Sequence, residues 1–110
     1  MSYPKIATLV NVLLTQTSKG ELNWSQTEKT GNFQASFPRY SVRIYPQGND
    51  YILQILNELG DIVEEVSDPE LRDVLQDAYK TMGALHDAAR RNAMGVESAL
   101  DDILGFLDPS

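Results

Sequence analysis

The chain contains no cysteine. Structural disulfides, thiolate zinc sites, iron–sulfur clusters and cysteine nucleophiles are therefore excluded. The same absence fits a reducing compartment, and a cytoplasmic location is the expectation. There is one histidine, His86, and one histidine cannot build a transition-metal cluster alone. Gly20, Gly31 and Gly48 stand isolated, with no phosphate loop and no dinucleotide fingerprint around them. Long hydrophobic runs are also missing. Near the N-terminus the longest apolar stretch, Ile6 to Leu14, is interrupted by Thr8 and Asn11 and is too short to cross a bilayer. Its only basic flank is Lys5, and Thr15-Gln16-Thr17-Ser18-Lys19 offers no small-residue cleavage site. The segment reads as a mature helix, and no membrane association is expected.

What is present is ordinary in bulk and uneven in detail. At 110 residues, 42% hydrophobic and 23% charged, the chain has the size and composition of one globular domain, residues 1–110, with enough mass for a core that needs neither disulfide nor metal. The net charge is −7. Residues 58–77 hold Glu58, Asp61, Glu64, Glu65, Asp68, Glu70, Asp73 and Asp77 against Arg72 alone, and acids and bases balance elsewhere. A phosphate backbone is repelled by such a region, so nucleic acid is not an expected partner. The acidic segment reads either as a solvated face that maintains solubility or as a docking surface for a basic partner.

Hydrophobic periodicity sets the order of elements. Pro4 suits the first turn of a helix, and Ile6, Leu9, Val10, Leu13 and Leu14 then form one stripe at helical period, closed by Gly20. The period next becomes two. Leu22 and Trp24, then Phe33, Ala35 and Phe37, then Tyr40, Val42 and Ile44, then Tyr51, Leu53 and Ile55 alternate with mostly polar neighbours, and Asp61 to Val66 forms a last strand. Ile52 and Leu56 make the fourth of these segments apolar on both faces. Phe37-Pro38-Arg39-Tyr40 is a tight turn, Pro46 to Asp50 a five-residue loop, and Asn57-Glu58-Leu59-Gly60 a hairpin turn with a bulge. Ser25 to Thr30 is the most polar segment and reads as a loop. Short connections favour a meander.

Ser67-Asp68-Pro69-Glu70 restarts a helix, with capping-box spacing between Ser67 and Glu70 and Asp68 as an alternative cap. Leu71, Val74, Leu75, Ala78, Tyr79, Met82, Leu85 and Ala89 make its buried stripe, and Val96, Leu100, Ile103, Leu104 and Leu107 a final one. The pattern runs through Gly95 without losing phase. An unbroken helix from Asp68 to Leu107 would be roughly 60 Å long, against a radius of gyration of about 13 Å for a domain of this size. A break between Asn92 and Gly95 keeps the domain compact. Without it the stripe becomes a dimer interface, so monomer and homodimer both stay open.

No constellation carries chemistry. His86 beside Asp87 has the elements of a base oriented by a carboxylate, but no nucleophile accompanies it, and a surface histidine is the simpler expectation. Glu70, Asp73 and Asp77 share a face of the expected helix and offer hard oxygen ligands. They also alternate with its buried stripe, as the polar face of any amphipathic helix does. Asp101 and Asp102 are adjacent and diverge around the helix axis. Arg90 and Arg91 suit the carbonyl end of a helix. No enzyme, cofactor or metal is expected. Arg43 and Tyr45 dress the polar side of a strand with residue types common at interfaces, and they are the first candidates for partner contact, followed by Glu64, Glu65, Asp73 and Asp77.

The segments Leu22-Asn23-Trp24, Phe33-Gln34-Ala35, Tyr40-Ser41-Val42-Arg43-Ile44 and Ala99-Leu100-Asp101-Asp102-Ile103-Leu104 resemble a group of small bacterial α+β proteins of unknown function. In these a helix precedes a Trp-bearing segment, a strand meander and C-terminal helices. The resemblance implies a bacterial or phage origin and an α+β fold, and it assigns no functional residues. The helix–sheet–helix order with an acidic surface also resembles type III secretion chaperones, whose middle helix this chain lacks.

The expected fold is α+β: an N-terminal helix, an antiparallel meander of about four strands, then two C-terminal helices packed on one sheet face. The expected function is that of a small non-enzymatic protein-interaction module, an adaptor or inhibitor with a protein partner. The alternative is a chaperone-like or immunity-type acidic protein that binds one basic partner, with homodimerisation open.

Overall fold

The computed structural model describes residues 3–108. An N-terminal helix α1 (Tyr3–Ser18) leads into five strands, β1 (Ser25–Gln26), β2 (Phe33–Ser36), β3 (Tyr40–Gln47), β4 (Asp50–Asn57) and β5 (Ile62–Ser67). After a single 3-10 turn at Pro69–Leu71 come α2 (Ala78–Ala93) and α3 (Val96–Leu107). The strands pair antiparallel in sequence order as one open sheet. This is the expected α+β meander between helices, with the short β1 as a fifth strand in the polar segment that reads as a loop in the sequence.

The alternation in the strands becomes the two sheet faces. Phe33, Ala35, Val42, Ile44, Leu53 and Val66 point inward and join Ile6, Ala7, Val10 and Leu13 of α1 and Ala78, Met82, Leu85 and Ala89 of α2 in one core. Ile44, Leu53, Met82 and Leu85 are among its fully buried side chains. Fully burying one such side chain is worth about 1.5–3 kcal/mol, so this contact between α2 and the sheet dominates the fold. Gly83 serves the same contact. A Cβ at that position would lie 3.2 Å from Cε2 of Tyr51, so a side chain at residue 83 would push the tyrosine ring a few tenths of an ångström from the helix.

Polar groups tie the ends of the elements together. Gly20 takes the left-handed conformation, φ 73°. Its N–H donates to the Thr17 carbonyl (3.0 Å) and the Glu21 N–H to the Gln16 carbonyl (2.9 Å), closing α1 as a Schellman cap. Trp24 is not in a strand. It lies just before β1, buried, with its indole Nε1 donating to Thr17 Oγ1 (2.9 Å) and its backbone N–H donating to Asn92 Oδ1 (2.6 Å). One residue thereby joins the last turn of α1, the start of the sheet and the last turn of α2.

Three local readings of the sequence need correction. The connection between β3 and β4 is a two-residue turn at Gly48–Asn49, because Pro46, Gln47 and Asp50 all belong to the ladder. No helix runs on from Asp68. The 3-10 turn ends at Leu71, and Asp77, in the left-handed conformation at φ 49°, separates it from α2. The capping-box pair nevertheless forms, since Glu70 Oε1 accepts the Ser67 N–H at 3.0 Å and its hydroxyl at 3.1 Å. Asp68 does not cap. It is buried and accepts the Tyr51 N–H at 2.7 Å while its own N–H donates to the Tyr51 carbonyl, which extends the β4–β5 pairing by one residue.

The break expected near Gly95 is present. Gly95 has φ 65°, a left-handed conformation that would cost a residue with a side chain about 1 kcal/mol or more. The break does not return α3 to the body of the domain, however. No residue of α3 is buried. The principal extents are 55 × 32 × 26 Å and the radius of gyration 15.2 Å, against about 13 Å for a compact domain of this length.

A pair of truncations distinguishes the core from the overhanging helix. Leu85→Ala empties a fully buried site and should lower unfolding free energy by about 2–5 kcal/mol. Leu100→Ala, on α3, should cost less than about 1 kcal/mol. Urea denaturation of both variants checks this, and equal losses would place α3 in the core after all.

Candidate functional site: the open face of the sheet

Both long helices that build the core, α1 and α2, lie on one face of the sheet, and among the described residues no helix lies on the opposite face. Pairing register places one side chain per strand in a row across that face: Ser25, Gln34, Arg43, Gln54 and Glu65 are successive cross-strand partners from β1 to β5. Directly opposed side chains in such a row are close enough to bond, and two of the neighbouring pairs do, Gln34 with Arg43 and Gln54 with Glu65. Arg43 Nε donates to Gln34 Oε1 at 2.7 Å. Gln54 Nε2 donates to Glu65 Oε1 at 2.7 Å and to the Tyr45 hydroxyl at 3.2 Å. Gln54 is itself 92% buried, at 8% relative exposure, with Ile52 (7%) and Leu56 (2%) flanking it on the same strand face. The face therefore has an apolar floor, as the apolar residues on both sides of β4 require, crossed by a polar row that is bonded in two pairs.

The β1–β2 connection rises along one side of this face. Gln26, Lys29 and Asn32 line a concavity of about 740 Å³ together with Gln34, Arg43, Tyr45 and Gln54. Burial, and secondarily the charge of Glu65, pushes the Tyr45 phenol above its ordinary range, so Tyr45 is a neutral donor and acceptor at physiological pH. Among the described residues Arg43 makes no ion pair. The surface thus offers a cation, a phenol and several amides over an apolar floor. It has no nucleophile beside a base and no metal-binding cluster of His, Asp and Glu among the described residues.

The candidate residues do not all gather here. Arg43, Tyr45 and Glu65 share this face; Gln54 links Tyr45 to Glu65, and Arg43 bonds Gln34. Glu64 does not. A β-bulge between Ile55 and Leu56 on β4 leaves Val63 unpaired, and Glu64 lies opposite Ile55 on the helix side, beside Lys5, Ile6 and Leu9 of α1. Asp73 is exposed in the turns that follow the 3-10 turn, and Asp77 stands at the position before α2 in a left-handed conformation, with no side-chain capping bond. The acids of residues 58–77 are thus contiguous in sequence and divided in space. Gln34 and Gln54, which the sequence reading passes over, complete the row. Their signal was present, since each sits at the polar position of an alternating strand two strands from the next.

His86 is not a surface histidine. It is half-buried between the rings of Phe33 (5.4 Å) and Tyr51 (5.6 Å), and its Nε2 lies 2.8 Å from the Gly31 carbonyl. It holds α2 to the β1–β2 connection, a positioning role for one wall of the concavity. Glu70, Asp73 and Asp77 lose their common face with the helix that would have carried them. Glu70 instead bonds Ser67 and accepts the Tyr3 hydroxyl at 3.0 Å.

No protein-family model, curated protein or solved structure matches the chain. Among the described residues no helix is long and apolar enough to cross a membrane.

The Glu70 contacts have a pH signature. The Ser67 N–H first, then the Tyr3 hydroxyl, hold its carboxyl below the ordinary value of 4.5. A depressed carboxyl stabilises the fold above its unfolded pKa and loses that contribution as pH falls through the folded value. The stability difference between the wild type and Glu70→Gln should therefore be constant near neutrality and shrink below about pH 4.5. Urea denaturation from about pH 7 to about pH 3 tests it. A difference that stays flat over that range contradicts the assignment.

Proposed function

We propose that the chain is a small non-enzymatic protein-interaction module, an adaptor or inhibitor of the bacterial cytoplasm, whose partner contacts the open face of the sheet around Arg43 and Tyr45. The observation that carries this reading is the row Gln34–Arg43–Gln54–Glu65 over buried Ile52 and Leu56, on a face that no helix covers. Tyrosine and arginine over an apolar, pre-ordered floor are the ingredients of an interface centre. The internal bonds of the row hold its side chains before a partner arrives, which lowers the ordering cost of association. Glu65 at one end of the row and Arg43 at its middle give the surface a polarity that favours one docking direction.

Several features weigh against catalysis. His86 is engaged with Gly31 and packed between two rings, and the carboxylate nearest to it in sequence, Asp87, turns toward Arg90. The absence of cysteine supports the cytoplasmic setting. The acidic 58–77 segment argues against nucleic acid, because its acids are spread over several faces of the domain.

The test uses the immobilised full chain and lysate of the source cells. A protein held by the wild type and lost at least about tenfold with Arg43→Ala/Tyr45→Ala, whose circular dichroism and melting temperature match the wild type, supports the reading. If the double variant retains every protein that the wild type retains, the sheet face is not the contact surface.

A further inference from the structure

The helix α3 is amphipathic and has no counterpart in its own domain. At about 100° per residue, Val96, Ala99, Leu100, Ile103, Leu104, Phe106 and Leu107 fall within an arc of about 160°, and Ser98 and Gly105 lie behind it. Such a stripe is the mark of a face packed against something. Here Leu100 is 44% exposed, Ile103 54%, Leu104 61%, Leu107 71% and Phe106 85%. Twelve residues make a helix that is marginal in water without packing, and Gly105 weakens it further. Its attachment to α2 includes the Arg91–Glu97 ion pair at 3.2 Å, between exposed side chains, which contributes little.

Charge selects the occupant. Residues 96–107 contain Glu97, Asp101 and Asp102 and no Lys or Arg. Glu97 and Asp101 border one edge of the stripe, and Asp102 lies beyond the other. Two α3 helices packed antiparallel would bring the Glu97–Asp101 edges together. Packed in parallel, they would bring that edge toward Asp102. Neither arrangement supplies a cation, so a dimer formed by pairing two α3 helices is disfavoured. An anionic lipid surface is disfavoured for the same reason. An apolar groove bordered by basic side chains satisfies both features, in the manner of an amphipathic helix laid into a groove.

We infer that α3 is a docking helix, and that it seats Leu100, Ile103, Leu104, Phe106 and Leu107 in an apolar groove rimmed by Lys or Arg on a partner protein. The surface is separate from the sheet face, so this inference and the preceding proposal can fail independently. It also gives the basic-partner reading a location other than residues 58–77.

The experiment places a benzoylphenylalanine photo-crosslinker at position 103 of the full chain, expressed in the source cells, and identifies the crosslinked peptide by mass spectrometry. The expected product is one protein joined through an apolar segment that also carries Lys or Arg. The crosslink, moved to position 106, should fall at least about tenfold in Leu100→Asp and in Asp101→Lys/Asp102→Lys. Both sites are exposed, and an unchanged melting temperature confirms that the domain stays folded. Arg43→Ala/Tyr45→Ala should leave the crosslink intact. A product of twice the chain mass, a lipid adduct, a segment without basic residues, insensitivity to Asp101→Lys/Asp102→Lys, or no crosslink at all overturns the inference.

Discussion

The seating of α2 across the inner face of the sheet is the contact on which the rest of the molecule depends. Met82, Leu85 and Ala89 enter the same core as Phe33, Ile44 and Leu53, and all six are almost wholly buried. The small residues on the helix set the approach. Ala78 and Ala89 keep its buried stripe shallow, and Gly83 accepts the ring of Tyr51. Once α2 takes this position, α1 has a neighbour to lie against, His86 is brought under the β1–β2 connection, and Asn92 reaches the backbone of Trp24. A helix that covers one face of a five-stranded open sheet also determines that the other face must find its own solution.

That solution is visible on β4. The strand is apolar on both sides, so Ile52 and Leu56 lie on the uncovered face. Ile52 and Leu56 remain buried there because the strand is central, flanked by β3 on one side and β5 on the other. Gln54, between them, would be costly to bury without partners. Its amide donates to both Glu65 and Tyr45, which satisfies the group and orders its neighbours. The same arrangement that makes an uncovered face tolerable also gives it fixed polar geometry. The charged Glu65 on β5 and the brevity of β1 serve the two sheet edges in a related way, since charges and short strands discourage further strand pairing.

Much of this was legible in the sequence, and the failures have physical causes. Period-two alternation located β2 and β3, each with one buried face, and β4 in spite of its second apolar face; the hairpin turn and the apolar residues after it located β5, and the helical stripes located α1, α2 and α3. The break at Gly95 was legible from compactness. What α3 does after the break was not, because an apolar stripe on a short helix signals burial without naming the surface that buries it. The segment from Asp68 to Asp77 misled for a related reason. Its Leu71, Val74 and Leu75 have helical spacing, but one tight turn suffices to bury Leu71 and Leu75, and Asp77 turns the chain before a longer helix can form. Arg43 and Tyr45 were identifiable as residues on the polar side of a strand. That Gln34, Gln54 and Glu65 would join Arg43 in one row depends on register, which is set by turn lengths and by the bulge at Val63, and those are weakly encoded in composition.

The bulge also decides what the acidic segment can be. Without the extra residue in β5, the alternation from Glu65 and Val66 back toward the hairpin would put Val63 on the outer face and Ile62 inward. With it, Ile62 pairs with Leu56 on the outer face while Glu64 faces the helices and Glu65 faces out. Two adjacent acids in a strand always point apart, so the pair could never have formed one acidic patch. Asp68 is consumed in backbone pairing, Glu70 in its clamp with Ser67 and Tyr3, and Glu65 in its bond to Gln54, which divides the remaining acids between the hairpin, the helix side and the turns before α2. A dense acidic stretch in a strand-to-turn region is therefore distributed by the geometry of the chain itself. Only on a helix, as with Glu97 and Asp101 along one edge of α3, does spacing by four residues bring like charges onto one side of an apolar stripe.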